Sequence, residues 1–381
     1  MAYFDNAATS WPKPEEVYRT MDAAMRNYGG NPGRSGHKKA LEAARLVYEA
    51  RETIASFLNA ESPNNIIFTA NATEALNTAI KGVLRPGDHV ITTSMEHNSV
   101  ARPIYALTKS GVEWDVVKCS KDGTLDPEDV LKAIKPNTRL IAVTHASNVT
   151  GTVMPVEEIG RIARERDILF LVDAAQTIGV LDIDVRKLHI DLLAFPGHKG
   201  LYGPQGTGGL YVREGVKLQP LKQGGTGSFS EELDQPDILP DMLEAGTLNT
   251  PGIAGLAAGV NFLKKMGLHQ VRAHERMLAQ RFLEGLEKID GVTVYGCPKK
   301  HGEIAVISIN LKDLDSSELA FLLDSRYDIQ VRPGIHCSPM AHRTIGTIER
   351  GTARFSFSIF NTVDEIEEAL SALEEISREM G

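Results

Sequence analysis

The chain has 381 residues, 42% hydrophobic and 24% charged, with 41 Lys and Arg against 50 Asp and Glu for a net charge of −9. That length supports a substantial core and two packed units, and so ordinary a composition excludes a globally disordered chain. There is no basic run to suit nucleic acid, no apolar stretch long enough for a bilayer, and no CxxC among Cys119, Cys297 and Cys337 to build a thiolate metal cluster.

Residues 1–35 read as an arm, punctuated by Pro12, Pro14, Gly29, Gly30, Pro32 and Gly33 around a short helix near 15–27. Apolar residues at helical spacing predict a stronger helix over 38–58. Short apolar runs follow at 66–69, 89–93, 112–117, 139–145, 168–173, 191–195 and 208–212, alternating with helical or loop segments. Strand, crossover and strand repeated this way predict an α/β fold with a largely parallel sheet covered by helices. Runs such as ILFLV, which do not alternate, fit burial on both faces. From about 215 the texture changes. The Gly/Pro/Asp-rich stretch 224–241 reads as a long loop, and helices are predicted near 252–266 and 269–288. Strands at 292–296, 304–311, 329–332 and 353–360, with helices at 316–326 and 363–377, predict a smaller α/β unit beside the first. The N-terminal residues lack the form of a signal peptide, and three sparse cysteines fit a reducing compartment, so a cytoplasmic location is expected.

Ligands of a parallel α/β sheet gather beyond the carboxyl ends of its strands. Thr73 follows the run at 66–69, His97 the run at 89–93, and Asn148 the run at 139–145. Asp173 and Gln176 follow 168–173, and His198 and Lys199 follow 191–195. Each has a plain alternative: Thr73 can cap a helix, an aspartate can close a turn, a lysine can face water. Together they match the needs of pyridoxal phosphate: a lysine for the Schiff base, an aspartate for the pyridine nitrogen, and donors for the phosphate. Walker A and HExxH patterns are absent, and the glycines at 203–209 do not form GxGxxG. His336, Cys337 and His342 lack a fourth partner, so no metal site is expected.

The stretches YFDNAAT (3–9), NPGRSGH (31–37), TANATEALN (69–77), MEHNS (95–99), SNVTGT (147–152), DAAQ (173–176), GHKGLYGPQGTG (197–208), EAGTLNTP (244–251), RPGIHC (332–337) and RFSFSIFNT (354–362) occur in family order. On them the chain resembles the class V aminotransferase-like, pyridoxal-phosphate-dependent family, in its cysteine desulfurase and selenocysteine lyase group. The resemblance implies fold type I, with a seven-stranded, mostly parallel sheet and a smaller C-terminal α/β domain. It divides the chain into an arm (1–35), a large cofactor-binding domain (36–255) and a small domain (256–381).

It also implies roles. Lys199 is the Schiff-base lysine and base, Asp173 the pyridine-nitrogen partner, Gln176 the partner of the phenolic oxygen, and His97 the imidazole over the ring. Thr73, Glu74 and His198 fall to the cofactor, Thr247 to a contact across a homodimer interface, and Asn148 to both cofactor and substrate. Arg354 is the clamp on the substrate α-carboxylate, with Arg332 and His37 as further substrate contacts. Pro196 departs from the family, which commonly has serine there, and removes a hydroxyl and an N–H donor from the phosphate site.

Cys119 and Cys297 read as small packing thiols. Cys337 aligns with the sulfur-accepting cysteine, and Arg332, Gly334, His336 and Cys337 supply the RxGxHC pattern of type II desulfurases. The expected reaction takes L-cysteine to L-alanine through a Cys337 persulfide, whose sulfur passes to an acceptor or iron–sulfur scaffold protein. Selenocysteine lysis or C–S β-lysis without a stable persulfide, transamination and kynurenine cleavage stand as alternatives. A non-catalytic interaction protein on the same fold is the alternative of another class.

Overall fold

The computed structural model describes residues 1–33, 35–296 and 303–380; Cys297 lies outside them. The first part of the chain runs β1 (Ala2–Tyr3), α1 (Glu15–Asn27), α2 (Lys38–Leu58), β2 (Ile66–Thr69), α3 (Ala72–Val83), β3 (His89–Thr93), α4 (Asn98–Thr108), β4 (Glu113–Val117) and α5 (Pro127–Lys132). It continues through β5 (Thr138–Thr144), α6 (Val156–Glu165), β6 (Leu169–Asp173), β7 (Leu192–Pro196) and β8 (Gly208–Val212). After an irregular stretch come α7 (Thr250–Met266), α8 (Leu268–Leu286), β9 (Val292–Tyr295), β10 (Val306–Leu311), α9 (Ser316–Tyr327) and β11 (Ile329–Gln330). The chain closes with α10 (Pro339–Ile345), β12 (Ala353–Ser356) and α11 (Val363–Glu379).

Strands β2 to β8 form the expected seven-stranded, mostly parallel sheet, in the order β2-β8-β7-β6-β5-β3-β4. All neighbours are parallel except β8, which is antiparallel to both β2 and β7. Side chains on both faces are buried, from Ile91, Ile141 and Phe170 on one side to Val90, Leu140 and Leu171 on the other. From β3 the chain moves outward to β4, then returns to β5 on the opposite side of β3. The loops after β3 and β5 therefore flank the point where strand order reverses, the usual crevice for a ligand.

Helix α2 buries the stripe Ala40, Ala43, Val47, Ala50, Ile54 and Leu58, and it ends at Asn59 in the left-handed conformation at φ 54°. Helix α7 joins the same core through Leu256, Val260 and Leu263. The second core lies under the antiparallel sheet β12-β10-β9, where Leu278 and Phe282 of α8 meet Ile309, Phe355 and Leu373. Phe4 of the arm is also buried there, edge-on to Phe357, and β1 pairs in parallel with β11.

The sequence-predicted strand at 353–360 stops at Ser356. Ser358 N–H donates to Asn361 Oδ1 at 2.9 Å, which turns the chain into the Thr362–Glu365 capping box of α11.

Candidate active site

Parallel pairing carries several side chains to one end of the large sheet. Asp173 closes β6 and is 3% exposed, with Oδ1 accepting from Ala175 N–H at 2.9 Å. Strand β7 closes at Pro196 and delivers Gly197, His198 and Lys199. A Cβ on Gly197 would lie 2.2 Å from Thr207 Oγ1, so only glycine fits between the strand and the lysine loop. At the N-terminus of α3, Asn71 caps the helix through Glu74 N–H, and Thr73 Oγ1 meets Ser99 Oγ at 2.8 Å. Ser99 N–H in turn donates to His97 Nδ1 at 3.1 Å, which assigns the ring proton to Nε2.

Thr73, His97, Ser99, Asn148, Asp173, Gln176, His198 and Lys199 all line one cavity. Burial pushes the Lys199 amine down to about 8, helped by the Arg354 charge and opposed by Asp173. His97 falls to about 3 through burial and then the nearby Lys199, Arg332 and Arg354 cations, so its ring is neutral. Burial raises Asp173 while Ala175 N–H and Lys199 act against it. His198 is held to about 4 chiefly by burial, and its Nδ1 is buried with no partner among the described residues.

An orphaned imidazole nitrogen, a hydroxyl pair at a helix start, a buried carboxylate and a lysine near neutrality fit pyridoxal phosphate. Where Pro196 supplies no donor, Ser99 brings a hydroxyl beside Thr73.

The small unit supplies the other side of the site, with Arg332 and Arg354 near His97 and Lys199 although they do not line this cavity. Cys337 is exposed, in a loop where His336 and Cys337 both have left-handed backbones, at φ 49° and 60°. Asn98 N–H donates to Cys337 O at 2.9 Å, which ties the loop to the residue after His97. Asn148 Nδ2 donates to His336 O at 2.9 Å, and Ser338 Oγ donates to Asn148 Oδ1 at 2.6 Å. Thus Asn148 lines the cavity as expected, and both ends of its amide also bond to the cysteine loop. Its carbonyl accepts from Arg354 Nη1 at 3.0 Å. Arg332 and Arg354 pair through their backbones, and Arg332 Nη2 lies 3.6 Å from Cys337 Sγ.

Three further sequence-predicted residues sit away from both this cavity and the cysteine loop. Glu74 accepts from Ala70 N–H at 2.6 Å and pairs with Lys222. Thr247 lines a second cavity with Glu74 and Lys222, and its hydroxyl accepts from Asn31 Nδ2 at 3.1 Å. His37 is exposed and caps α2 by accepting from Ala40 N–H at 3.2 Å. The rings of His336 and His342 are 5.4 Å apart, each bonded to a threonine.

Asp5, Ser99 and Ser338 hold site groups that sequence reasoning did not single out. The first two stand inside the stretches YFDNAAT and MEHNS, which was the available signal. The arm reinforces the lysine loop: Ser10 Oγ donates to Lys199 O at 2.9 Å, and Gln176 Nε2 donates to Ala7 O at 3.2 Å.

A model of the family described as "Aminotransferase class-V" matches residues 2–369. A probable cysteine desulfurase of Methanothermobacter thermautotrophicus is 39% identical, over 98% of this chain and 94% of that protein. One from Pyrococcus abyssi is 37% identical, over 99% and 94%. A solved cysteine desulfurase from Thermococcus onnurineus NA1, in its apo form, superposes with a TM-score of 0.93 at 36% identity, covering 99% of this chain and 95% of that one. The likeness spans nearly the whole chain, so the chain belongs to the class V aminotransferase family, where its full-length relatives bear the name cysteine desulfurase.

Proposed function

We propose that the protein is a pyridoxal-phosphate-dependent cysteine desulfurase that converts L-cysteine to L-alanine and leaves the sulfur as a persulfide on Cys337. The observation that carries this reading is the position of Asn148. It lines the Lys199 cavity, its carbonyl holds Arg354, and its amide holds both flanks of Cys337. One residue thereby joins the lysine, the carboxylate clamp and the thiol.

Bound pyridoxal phosphate would supply an electron sink that makes the substrate Cα–H acidic. Asp173 would keep its pyridine nitrogen protonated, Gln176 would meet its phenolic oxygen, and His97 would lie over its ring. Thr73, Ser99 and His198 would hold its phosphate. Exposed Thr247, beside Glu74, would complete the neighbouring site of a homodimer. The site would lie between the large domain (36–255) and the small domain (256–381).

Arg354 orients the substrate α-carboxylate, with a fork that suits that shape. Lys199, near neutrality, takes the α-proton and returns a proton later. Cys337 Sγ, as a thiolate beside the Arg332 guanidinium, attacks the substrate sulfur. The carbon–sulfur bond breaks with its electron pair left on carbon, which takes up a proton and departs as L-alanine. The exposed position of Cys337 suits transfer of the sulfur to an acceptor protein, such as an iron–sulfur scaffold.

The test is to give the holoenzyme L-cysteine and follow L-alanine, with sulfide released by a reductant and one added sulfur on Cys337 detected by mass spectrometry. Cys337→Ala abolishes cysteine turnover on this reading. Undiminished turnover in that variant overturns the persulfide route, and retained action on selenocysteine alone marks a lyase.

A further inference from the structure

Arg354, assigned above to the substrate α-carboxylate, already holds a carboxylate of its own chain. Its Nη2 donates to Asp5 Oδ1 at 2.8 Å, and its Nη1 donates to Asn148 O at 3.0 Å. Its Nε is buried with no partner among the described residues. The arginine is 0% exposed, whereas the Asp5 side chain retains 25% exposure. A guanidinium buried without a counter-ion is costly, and Asp5 is its one ion-pair partner among the described residues.

The arm brings Asp5 there by main-chain contacts. Ser356 N–H donates to Phe4 O at 2.7 Å, Ala7 N–H donates to Ser356 Oγ at 2.8 Å, and Asp5 itself bridges to Ser356. Strand β12 carries both Arg354 and Ser356, so the two backbones form one piece. The Asp5 carboxylate can leave Arg354 only by rotating its own side chain toward solvent.

A substrate carboxylate that binds side-on needs Nε and Nη2, the usual fork of an arginine. Nε is buried and unpartnered among the described residues, while Nη2 is held by Asp5. We infer that Asp5 is a resident stand-in for the substrate α-carboxylate, holding Arg354 until an incoming amino acid takes the fork from it. This inference rests on the proposed role of Arg354. Asp5 acts through Arg354 as a specificity-determining residue: every ligand with an α-carboxylate competes with it, and an amine without one does not. The bound state then exchanges one carboxylate for another, so the buried guanidinium is never left without an anion.

The experiment uses the holoenzyme, with L-alanine and its carboxylate-free counterpart ethylamine as probes, read by the change each makes in the cofactor's visible absorption. Asp5→Asn keeps an acceptor oxygen for Nη2 but removes the charge. We expect L-alanine to bind at least about fivefold tighter to the variant and ethylamine to change by less than about twofold, since unit charges ~4 Å apart repel measurably even at the dielectric of water. The KM for L-cysteine falls in parallel without a matching rise in kcat. Unchanged or weaker L-alanine binding overturns the inference, as does equal tightening of both probes. Should Asp5→Asn fail to fold, Asp5→Ser carries the same test. Binding of L-alanine needs no turnover, so failure here is distinct from failure of the desulfurase reading.

Discussion

The two walls of the active site are built by different means. Lys199 and Asp173 stand where main-chain ladders end: Asp173 pairs with Thr144 on one side and Ala194 on the other. Cys337 stands in a loop with two successive left-handed residues, a conformation that costs ~1–3 kcal/mol each where side chains are present. Side chains from the large unit hold that loop, chiefly the Asn148 amide. The cofactor wall is therefore fixed by the fold as a whole, while the thiol wall depends on a few polar contacts. Single substitutions should separate them.

The largest effect is expected at Lys199, where the cofactor wall loses its base. Lys199→Ala should lower formation of L-alanine from L-cysteine by about 10³-fold or more, while the fold persists. Near-normal turnover in that variant would remove Lys199 from the reaction. Next is Asn148→Ala, aimed at the thiol wall. It leaves the His336 carbonyl and the Ser338 hydroxyl buried without their partner, at ~1–3 kcal/mol each. Cysteine turnover should drop by about 10–100-fold at that cost, with cofactor affinity nearly unchanged. If cofactor binding fell as far as turnover, the two walls would be one unit and the comparison would fail.

Titration sharpens the cofactor wall further. The Lys199 amine is depressed from 10.5 to about 8, so its neutral, proton-accepting form dominates above that value. Turnover limited by this amine should rise with pH through about 8 and fall roughly tenfold per pH unit below it. A flat kcat profile across that range would show that another group limits the rate. The linked stability has the same sign. The unfolded chain binds this proton more readily, so stability is lost as pH falls from 10.5 toward about 8.

This division also explains what the sequence could reveal. Buried parallel strands read as continuous apolar runs, so the ends at Thr69, Thr93, Thr144, Asp173 and Pro196 fell within a residue of the observed ones. Lys199, Asp173, His97 and Thr73 follow those ends and were legible with them. Contacts across the fold were not. Asp5 and Arg354 are 349 positions apart, and only the pairing of the arm with β12 joins them. The Asn148 amide turns toward the cysteine loop because Ser338 and His336 offer it partners there. Helix α10, inside the segment that links Cys337 to Arg354, is one short helix whose stop at Gly346 depends on a left-handed turn at φ 81°. Glu96 and Glu275 would be placed on the surface by composition alone, yet burial raises both to about 8.

The smallest effect should come from the cysteine that resembles Cys337 only in composition. Cys119 packs against the main core, and burial pushes its thiol up to about 11, so almost none of it is thiolate near neutrality. Cys119 N–H donates to Ser94 Oγ at 2.9 Å, a tie that the substitution leaves in place. Cys119→Ala should leave turnover within about twofold and cost ~1 kcal/mol or less of stability, read by denaturant unfolding. Cys337→Ser, at an exposed position with little packing to lose, should do the reverse: stability nearly unchanged and cysteine turnover lost. Equal loss of turnover in the two variants would mean that sulfur passes through a buried thiol, and the thiol wall would then have no separate existence.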